Sequence, residues 1–121
     1  MHQARVLVVD DDDSIRDVVS KMLCRLGYAV LSADSGENGL ALFLKNKFDL
    51  VMTDFNMSGM DGIHLADSVK EKSPSTQVVL MTGADKAVIL SKIKGTAVAR
   101  ALFKPFTLTE MDVTVQGLLH P

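Results

Sequence analysis

Leu50-Val51-Met52-Thr53-Asp54 is a run of four uncharged, mostly apolar residues that ends on a carboxylate, and Phe55-Asn56-Met57-Ser58-Gly59-Met60-Asp61-Gly62 follows it at once. The first stretch has the length and apolarity of a buried strand; the second, with its glycines, has the chemistry of a loop. Asp54 therefore falls at a strand's carboxyl end. Ligands of open parallel sheets bind in the crevice beyond those ends, so an acid there is a candidate for chemistry. Asp also ends strands for the sake of its own turn hydrogen bonds, and the position alone does not decide between the two readings.

On either side the pattern repeats. Val6-Leu7-Val8-Val9 is apolar on both faces and β-branched, as a strand covered on both sides should be, and it ends at Asp10-Asp11. Ile15, Val18, Val19, Met22, Leu23 and Leu26 follow helical spacing, with Asp12, Asp13 or Ser14 to cap the start and Gly27 to end it. Tyr28-Ala29-Val30-Leu31 reads as a strand. Asp34 or Ser35 then caps a helix with Leu40, Ala41, Phe43 and Leu44 as apolar positions, closing near Asn46-Lys47. Beyond the central strand, Ile63, Leu65, Ala66 and Val69 predict a helix that frays before Pro74. Val78-Val79-Leu80-Met81 predicts a strand ending at Thr82-Gly83, and a helix from about Asp85 to Lys94 carries Val88, Ile89 and Ile93. Ala101-Leu102-Phe103 is a short strand stopped by Lys104-Pro105. Thr107-Leu108-Thr109-Glu110 is a capping box, and Leu108, Met111, Val115, Leu118 and Leu119 stripe the last helix.

Strand and helix thus alternate five times, with no internal linker or repeat. Right-handed crossovers make this a flavodoxin-like α/β fold: a five-stranded parallel sheet in the order 2-1-3-4-5 with helices on both faces. At 121 residues, 1–121 is expected to be a single domain that buries roughly two-thirds of its unfolded surface.

Lys and Arg number 13 against 15 Asp and Glu, which gives no reason to expect direct nucleic-acid or membrane binding. The charges are unevenly placed, with Asp10 to Asp13 forming an acidic knot and Lys86, Lys92, Lys94, Arg100 and Lys104 making a basic stretch. Lys86, Lys92, Lys94 and Arg100 are read as a solvated face, or as a docking surface near the fourth helix and fifth strand. Cys24 is the only cysteine, so neither an internal disulfide nor a cysteine-built metal site is available; it falls on an apolar helix position and is expected in the core. The first apolar run breaks into four aspartates, unlike a signal peptide, and no run reaches the length of a membrane span. A reducing cytoplasm is the expected compartment.

In the 2-1-3-4-5 order Asp10, Asp11 and Asp54 share one sheet edge, with Thr82 and Lys104 arriving from the fourth and fifth strands. Two carboxylates about 4 Å apart repel by about 4 kcal/mol at an effective dielectric near 20. Something cationic must join them. Oxygen-only ligands select a hard divalent cation, Mg²⁺ first, which also binds phosphate. With Lys104 as a second positive charge and Thr82 as a donor, one carboxylate is left to attack phosphorus, and Asp54 is the most central.

Asp10-Asp11 after the first strand, Asp54 after the third, Thr82 after the fourth and Lys104-Pro105-Phe106 after the fifth resemble the receiver domain of two-component response regulators, over essentially the whole chain. The resemblance implies that Asp54 is the phosphoacceptor, taking a phosphoryl group from the phosphohistidine of a sensor histidine kinase or phosphotransfer protein. It implies that Asp11, assisted by Asp10, holds Mg²⁺ with Asp54 and the backbone carbonyl of Asn56. Thr82 and Lys104 would contact phosphoryl oxygens, and Lys104-Pro105 would be a cis peptide. The resemblance implies a signalling phosphoacceptor rather than an enzyme, in which phosphorylation would bias a surface of the fourth helix, fifth strand and fifth helix toward a downstream partner. No DNA-binding or catalytic output domain is expected within these residues, so the chain would work alone on a partner or as one domain of something longer. Against the family pattern, Ala101 stands where a Tyr or Phe often switches inward, Ser58 where a proline is usual, and Ala97 where a glycine is usual, with Gly95 two positions earlier.

Other classes fit less well. An Asp-nucleophile phosphohydrolase would have a second acid where Asn56 stands, and a cap domain. A flavin or nucleotide site wants backbone N–H groups, not four aspartates, after the first strand. A pseudo-receiver would lack a reactive position. Asp54 to Gly59 mimics half an EF-hand loop, but Leu65 stands at its twelfth position. Asp12 and Asp13 are read as caps or solvated acids, and His2, His64 and His120 are given no role.

Overall fold

The computed structural model describes residues 3–120; His2 lies outside them. Its elements run β1 (Arg5–Val9), α1 (Asp13–Arg25), β2 (Ala29–Ala33), α2 (Gly36–Lys45), β3 (Leu50–Asp54), α3 (Gly62–Lys72), β4 (Gln77–Thr82), α4 (Lys86–Ile93), β5 (Arg100–Phe103) and α5 (Leu108–Leu119). All the strand pairs are parallel, in the order β2-β1-β3-β4-β5. The expected flavodoxin-like fold is the one observed.

Alternation along each strand divides the core into two layers. Val6 and Val8 point to one face, where Val19 and Leu23 of α1 and Met111 and Val115 of α5 meet Leu50, Met52, Val79 and Met81. Leu7 and Val9 point to the other, against Phe43 of α2, Leu65, Ala66 and Val69 of α3, and Ile89 of α4. The central strands are sealed on both sides, which explains their unbroken apolar runs.

Each helix begins on an oxygen-bearing cap. Asp12, Ser35, Asp61, Asp85 and Thr107 accept from the backbone N–H three residues on, and Thr107 and Glu110 complete the expected capping box. Each cap follows a strand's carboxyl end, so the partial positive charges of the helix N-termini gather at the edge that carries the acids.

Three expectations of burial are corrected. Cys24 is exposed, because Val19 and Leu23 set the inward phase of α1 and Cys24 is turned about 100° past Leu23. On α2, Leu44 is 59% exposed and Ala41 is exposed, while Gly36, Gly39 and Phe43 form the buried row. A Cβ on Gly39 would stand 2.8 Å from Val9 Cγ2, so the bare glycine lets the helix lie close against β1 and fixes its rotation. Val18 and Val88 lie on outer faces, 52% and 49% exposed. β2 also runs two residues further than the expected end at Leu31, because it pairs along the full length of β1, from Arg5↔Ala29 to Val9↔Ala33.

Candidate functional site

Asp10 immediately follows β1, Asp54 closes β3 and Thr82 closes β4, so neighbouring strands deliver them to one edge. Asp54 pairs in register with Met81, which leaves Thr82 one residue beyond it on the adjoining strand. Lys104 comes from the loop after β5, its N–H donating to the Thr82 carbonyl at 2.7 Å. The Lys104-Pro105 peptide is cis, as the resemblance implied.

Carboxylate oxygens of Asp10, Asp11 and Asp54 lie within 4.8 Å of one another. Lys104 Nζ donates to Asp54 Oδ1 at 3.0 Å and lies 3.4 Å from Asp10 Oδ2. Asp10 is fully buried and accepts from the Asp12 N–H at Oδ1. Thr82 is buried too, and its hydroxyl accepts from the Ala84 N–H at 3.0 Å. Asn56 sits exposed in the loop beyond Asp54. Asp12 is the α1 cap and Asp13 pairs with Arg16, which leaves the two of them outside the acid cluster as expected.

Asp10 and Asp54 share one lysine, with Asp11 beside them. Burial, and after it the charge of Asp10, push the Asp54 carboxyl above its usual range, against the hydrogen bond and charge of Lys104. Burial would lower the Lys104 ammonium, yet the hydrogen bond and charge of Asp54, with Asp10 behind it, carry it above its usual value. The two directions agree with a single cation that is too little for the acids but well held by them. An oxygen-only, convergent and under-neutralised cluster suits a hard divalent ion, and the residues present fit Mg²⁺.

Several contacts were not legible in the sequence. Arg16, one turn into α1, donates through Nη1 to the Asp10 carbonyl at 2.9 Å and through Nη2 to Asp13. Its only sequence trace is an arginine three residues after an acid on a helix. Lys92 lies over the ring of Phe55 at 5.5 Å and Lys86 over that of Phe103 at 5.8 Å, so two basic residues of α4 rest on the chain neighbours of Asp54 and Lys104. Gly62 packs so closely against the Asp54 carbonyl that no Cβ fits there.

Residues 6–116 match the family model of the response regulator receiver domain. The chain is 31% identical over 119 residues to a probable chemotaxis protein CheY of Rhizobium etli, covering 94% of this chain and 91% of that one. It is 29% identical over 121 residues to the transcriptional regulatory protein ResD of Bacillus subtilis, covering 98% of this chain. It spans about half the length of ResD, 49%, and 47% of a probable transcriptional regulator, ycf27, of Cyanidium caldarium. Among solved structures, the chemotaxis protein CheY4 of Vibrio cholerae superposes with a TM-score of 0.91 at 32% identity, covering 98% of this chain and 100% of that one. Among the described residues no helix is long and apolar enough to cross a membrane. The match over residues 6–116, on the fold shared with the CheY4 structure, makes this chain a member of the response regulator receiver domain family.

Proposed function

We propose that Asp54 is the phosphoacceptor of a single receiver domain spanning 1–121, and that it takes its phosphoryl group from the phosphohistidine of a sensor histidine kinase or phosphotransfer protein. The observation that carries this reading is the pairing of Lys104 Nζ with both Asp54 and Asp10 beside a third acid, an under-neutralised cluster with room for a further cation around a nucleophilic carboxylate.

Asp10, Asp11 and Asp54, with the Asn56 backbone carbonyl, would hold Mg²⁺; when bound, the ion neutralises charge on the transferring phosphoryl oxygens. An Asp54 carboxylate oxygen forms its bond to phosphorus as the P–N bond of phosphohistidine breaks, and the electron pair returns to the imidazole. Lys104 turns from the carboxylates to a phosphoryl oxygen, and the Thr82 hydroxyl donates to another. Asp54 thus accepts a group and later loses it to water, with no second substrate turned over.

Drawing Thr82 and Lys104 toward the phosphoryl group moves the ends of β4 and β5, between which α4 lies. Because Ala101 removes aromatic switching at that position, the Lys86 and Lys92 contacts to Phe103 and Phe55 are the links from the site to the α4–β5–α5 face. On that face Leu90 is 44% and Val113 67% exposed. A downstream protein, or an output domain in a longer chain, reads it; direct contact with nucleic acid or membrane is not part of the function, and the working compartment is the cytoplasm.

The test is intact mass after incubation with acetyl phosphate, with Mg²⁺ or with chelator, on wild type and Asp54→Asn. One phosphoryl group gained with Mg²⁺ and absent from the variant is the expected result. No gain under any condition sinks the phosphoacceptor reading.

A further inference from the structure

The acids of the site differ in how they are held. Asp10 is tied at every polar group. Its N–H donates to the Ala33 carbonyl at 3.2 Å, Oδ1 accepts from the Asp12 N–H at 2.9 Å, Oδ2 faces Lys104, and its carbonyl accepts from Arg16 Nη1. Asp54 is tied to Lys104. Asp11 is exposed, and its carboxylate accepts no hydrogen bond among the described residues. Its aim is set by its backbone alone.

Two peptides flank Asp11. The one behind it ends in the Asp10 carbonyl, held by Arg16 at 2.9 Å, and the one ahead begins with the Asp12 N–H, held by the Asp10 carboxylate. The Arg16 side chain is mostly buried. Its second nitrogen pairs with Asp13 at the start of α1, and its own N–H donates to the Asp12 carbonyl. The guanidinium therefore spans the turn from the end of β1 to the first turn of α1, with Asp11 in the middle.

We propose that Arg16 is the positioning residue of the cation site: by gripping the peptide between Asp10 and Asp11 it aims the Asp11 carboxylate at the ion. The inference rests on the reading of Asp10, Asp11 and Asp54 as ligands of a divalent cation. Groups that orient a metal ligand without touching the metal commonly set its affinity by about 10- to 100-fold. A planar fork reaching two acceptors does this where a point charge does not, so lysine is no substitute.

Charge and position act with opposite sign here. Removing a positive group beside an acid cluster leaves it more negative, and Coulomb's law then tightens its hold on a cation. Removing the tie that aims Asp11 loosens it. The sign of the change separates the two.

The experiment is a Mg²⁺ titration of the full chain by calorimetry, read in parallel by the amide shifts of Asp11 and Asp12, on wild type, Arg16→Gln, Arg16→Lys and Asp13→Asn. Arg16→Gln and Arg16→Lys should each bind Mg²⁺ about tenfold more weakly. Asp13→Asn, which keeps the tie to the Asp10 carbonyl, should stay within about twofold of wild type. In acetyl-phosphate phosphorylation, Arg16→Lys should raise the Mg²⁺ concentration needed for half-maximal rate, with the rate at saturating Mg²⁺ kept. Were Arg16→Gln not to fold, Arg16→Lys and Asp13→Asn carry the comparison. Mg²⁺ binding by Arg16→Gln as tight as wild type or tighter, wild-type affinity in Arg16→Lys, or an equal loss in Asp13→Asn would each overturn the assignment. Wild type that binds no Mg²⁺ and takes no phosphoryl group would instead bring down the cation-site reading itself, and the proposal with it.

Discussion

Asp54→Asn should stabilise the metal-free protein at neutral pH even though it deletes an ion pair. The Asp54 and Asp10 carboxylates lie within 4.8 Å, and with side chains 13% and 1% exposed they are poorly screened. At that separation two like charges repel by about 3.5 kcal/mol at an effective dielectric near 20. Lys104 stands 3.0 Å from Asp54 and 3.4 Å from Asp10, one ammonium shared by a buried acid and a part-buried one. Without the Asp54 charge, Lys104 serves Asp10 alone. The lost attraction, about 5.5 kcal/mol at 3.0 Å and the same dielectric, exceeds that repulsion. The sign is therefore carried by the desolvation of the carboxylate, which the amide avoids and which is the first cause of the raised Asp54 carboxyl; the net gain is about 1–2 kcal/mol. For a domain of this size that is a rise in Tm of roughly 3–8 °C. The pH dependence fixes the origin. The folded Asp54 carboxyl, raised first by burial and then by Asp10, holds its proton more tightly than the unfolded one. Wild-type stability therefore falls as pH climbs from the ordinary value of 3.8 through the raised one, and the advantage of Asn is absent below that window and complete above it. Thermal unfolding in chelator at acid and neutral pH measures both. Mg²⁺ at ten times its Kd should then stabilise wild type by about 1.4 kcal/mol and the variant by much less. A variant less stable than wild type in chelator at neutral pH would refute the reasoning, because the Lys104 pair would then outweigh the repulsion and the desolvation together.

In Gly62→Ala the new Cβ runs into the Asp54 carbonyl and stands 2.7 Å from Leu80 Cδ1, which should cost about 1–3 kcal/mol in denaturant titrations and slow phosphorylation. Gly83→Ala, with nothing within 4 Å, should stay within about 0.5 kcal/mol of wild type, and equal losses in the two would contradict the packing argument. Lys104→Met strands the buried Asp10 and the part-buried Asp54 and should lose about 3 kcal/mol in chelator. Because the folded Lys104 ammonium is raised, that difference should hold below its ordinary 10.5 and fade as pH rises through the folded value, as alkaline unfolding curves would reveal. Thr107→Ala removes the hydroxyl that accepts from the Glu110 N–H, leaving the backbone N–H of residue 107 on the Glu110 carboxylate, and should cost about 1 kcal/mol, read as a shifted denaturant midpoint at unchanged slope. Ala84, half-buried next to Thr82, shields an attacking water little; Ala84→Lys should slow loss of the phosphoryl mass several-fold, and loss at the wild-type rate or faster would count against this.

The residues that converge at the site were individually legible because each sits at a strand end, where a local change from apolar run to polar loop marks the position. Asp10, Asp54, Thr82 and Lys104 all lie where those boundaries put them. Helix existence and caps were legible for the same local reason, although the choice of Asp12 over Asp13, or Ser35 over Asp34, needed the backbone. Helix phase was not. On α2 the buried row is Gly36, Gly39 and Phe43, and a search for apolar side chains finds Leu44 and misses glycines that are buried because they have none. On α1 the apolar Cys24 lies one residue past the stripe.

What the sequence by itself determined was therefore the order and kind of the elements, the parallel sheet that order implies, and the identity of the acids, threonine and lysine, since periodicity, caps and strand ends are properties of a few neighbouring residues. Only the tertiary structure decided that one lysine bridges Asp54 and Asp10, 50 and 94 residues away, that Arg16 grips the peptide before Asp11, and that α4 rests on Phe55 and Phe103. Those contacts depend on helix rotation and on how closely bare backbone lets segments approach, and both are set by packing across the whole chain.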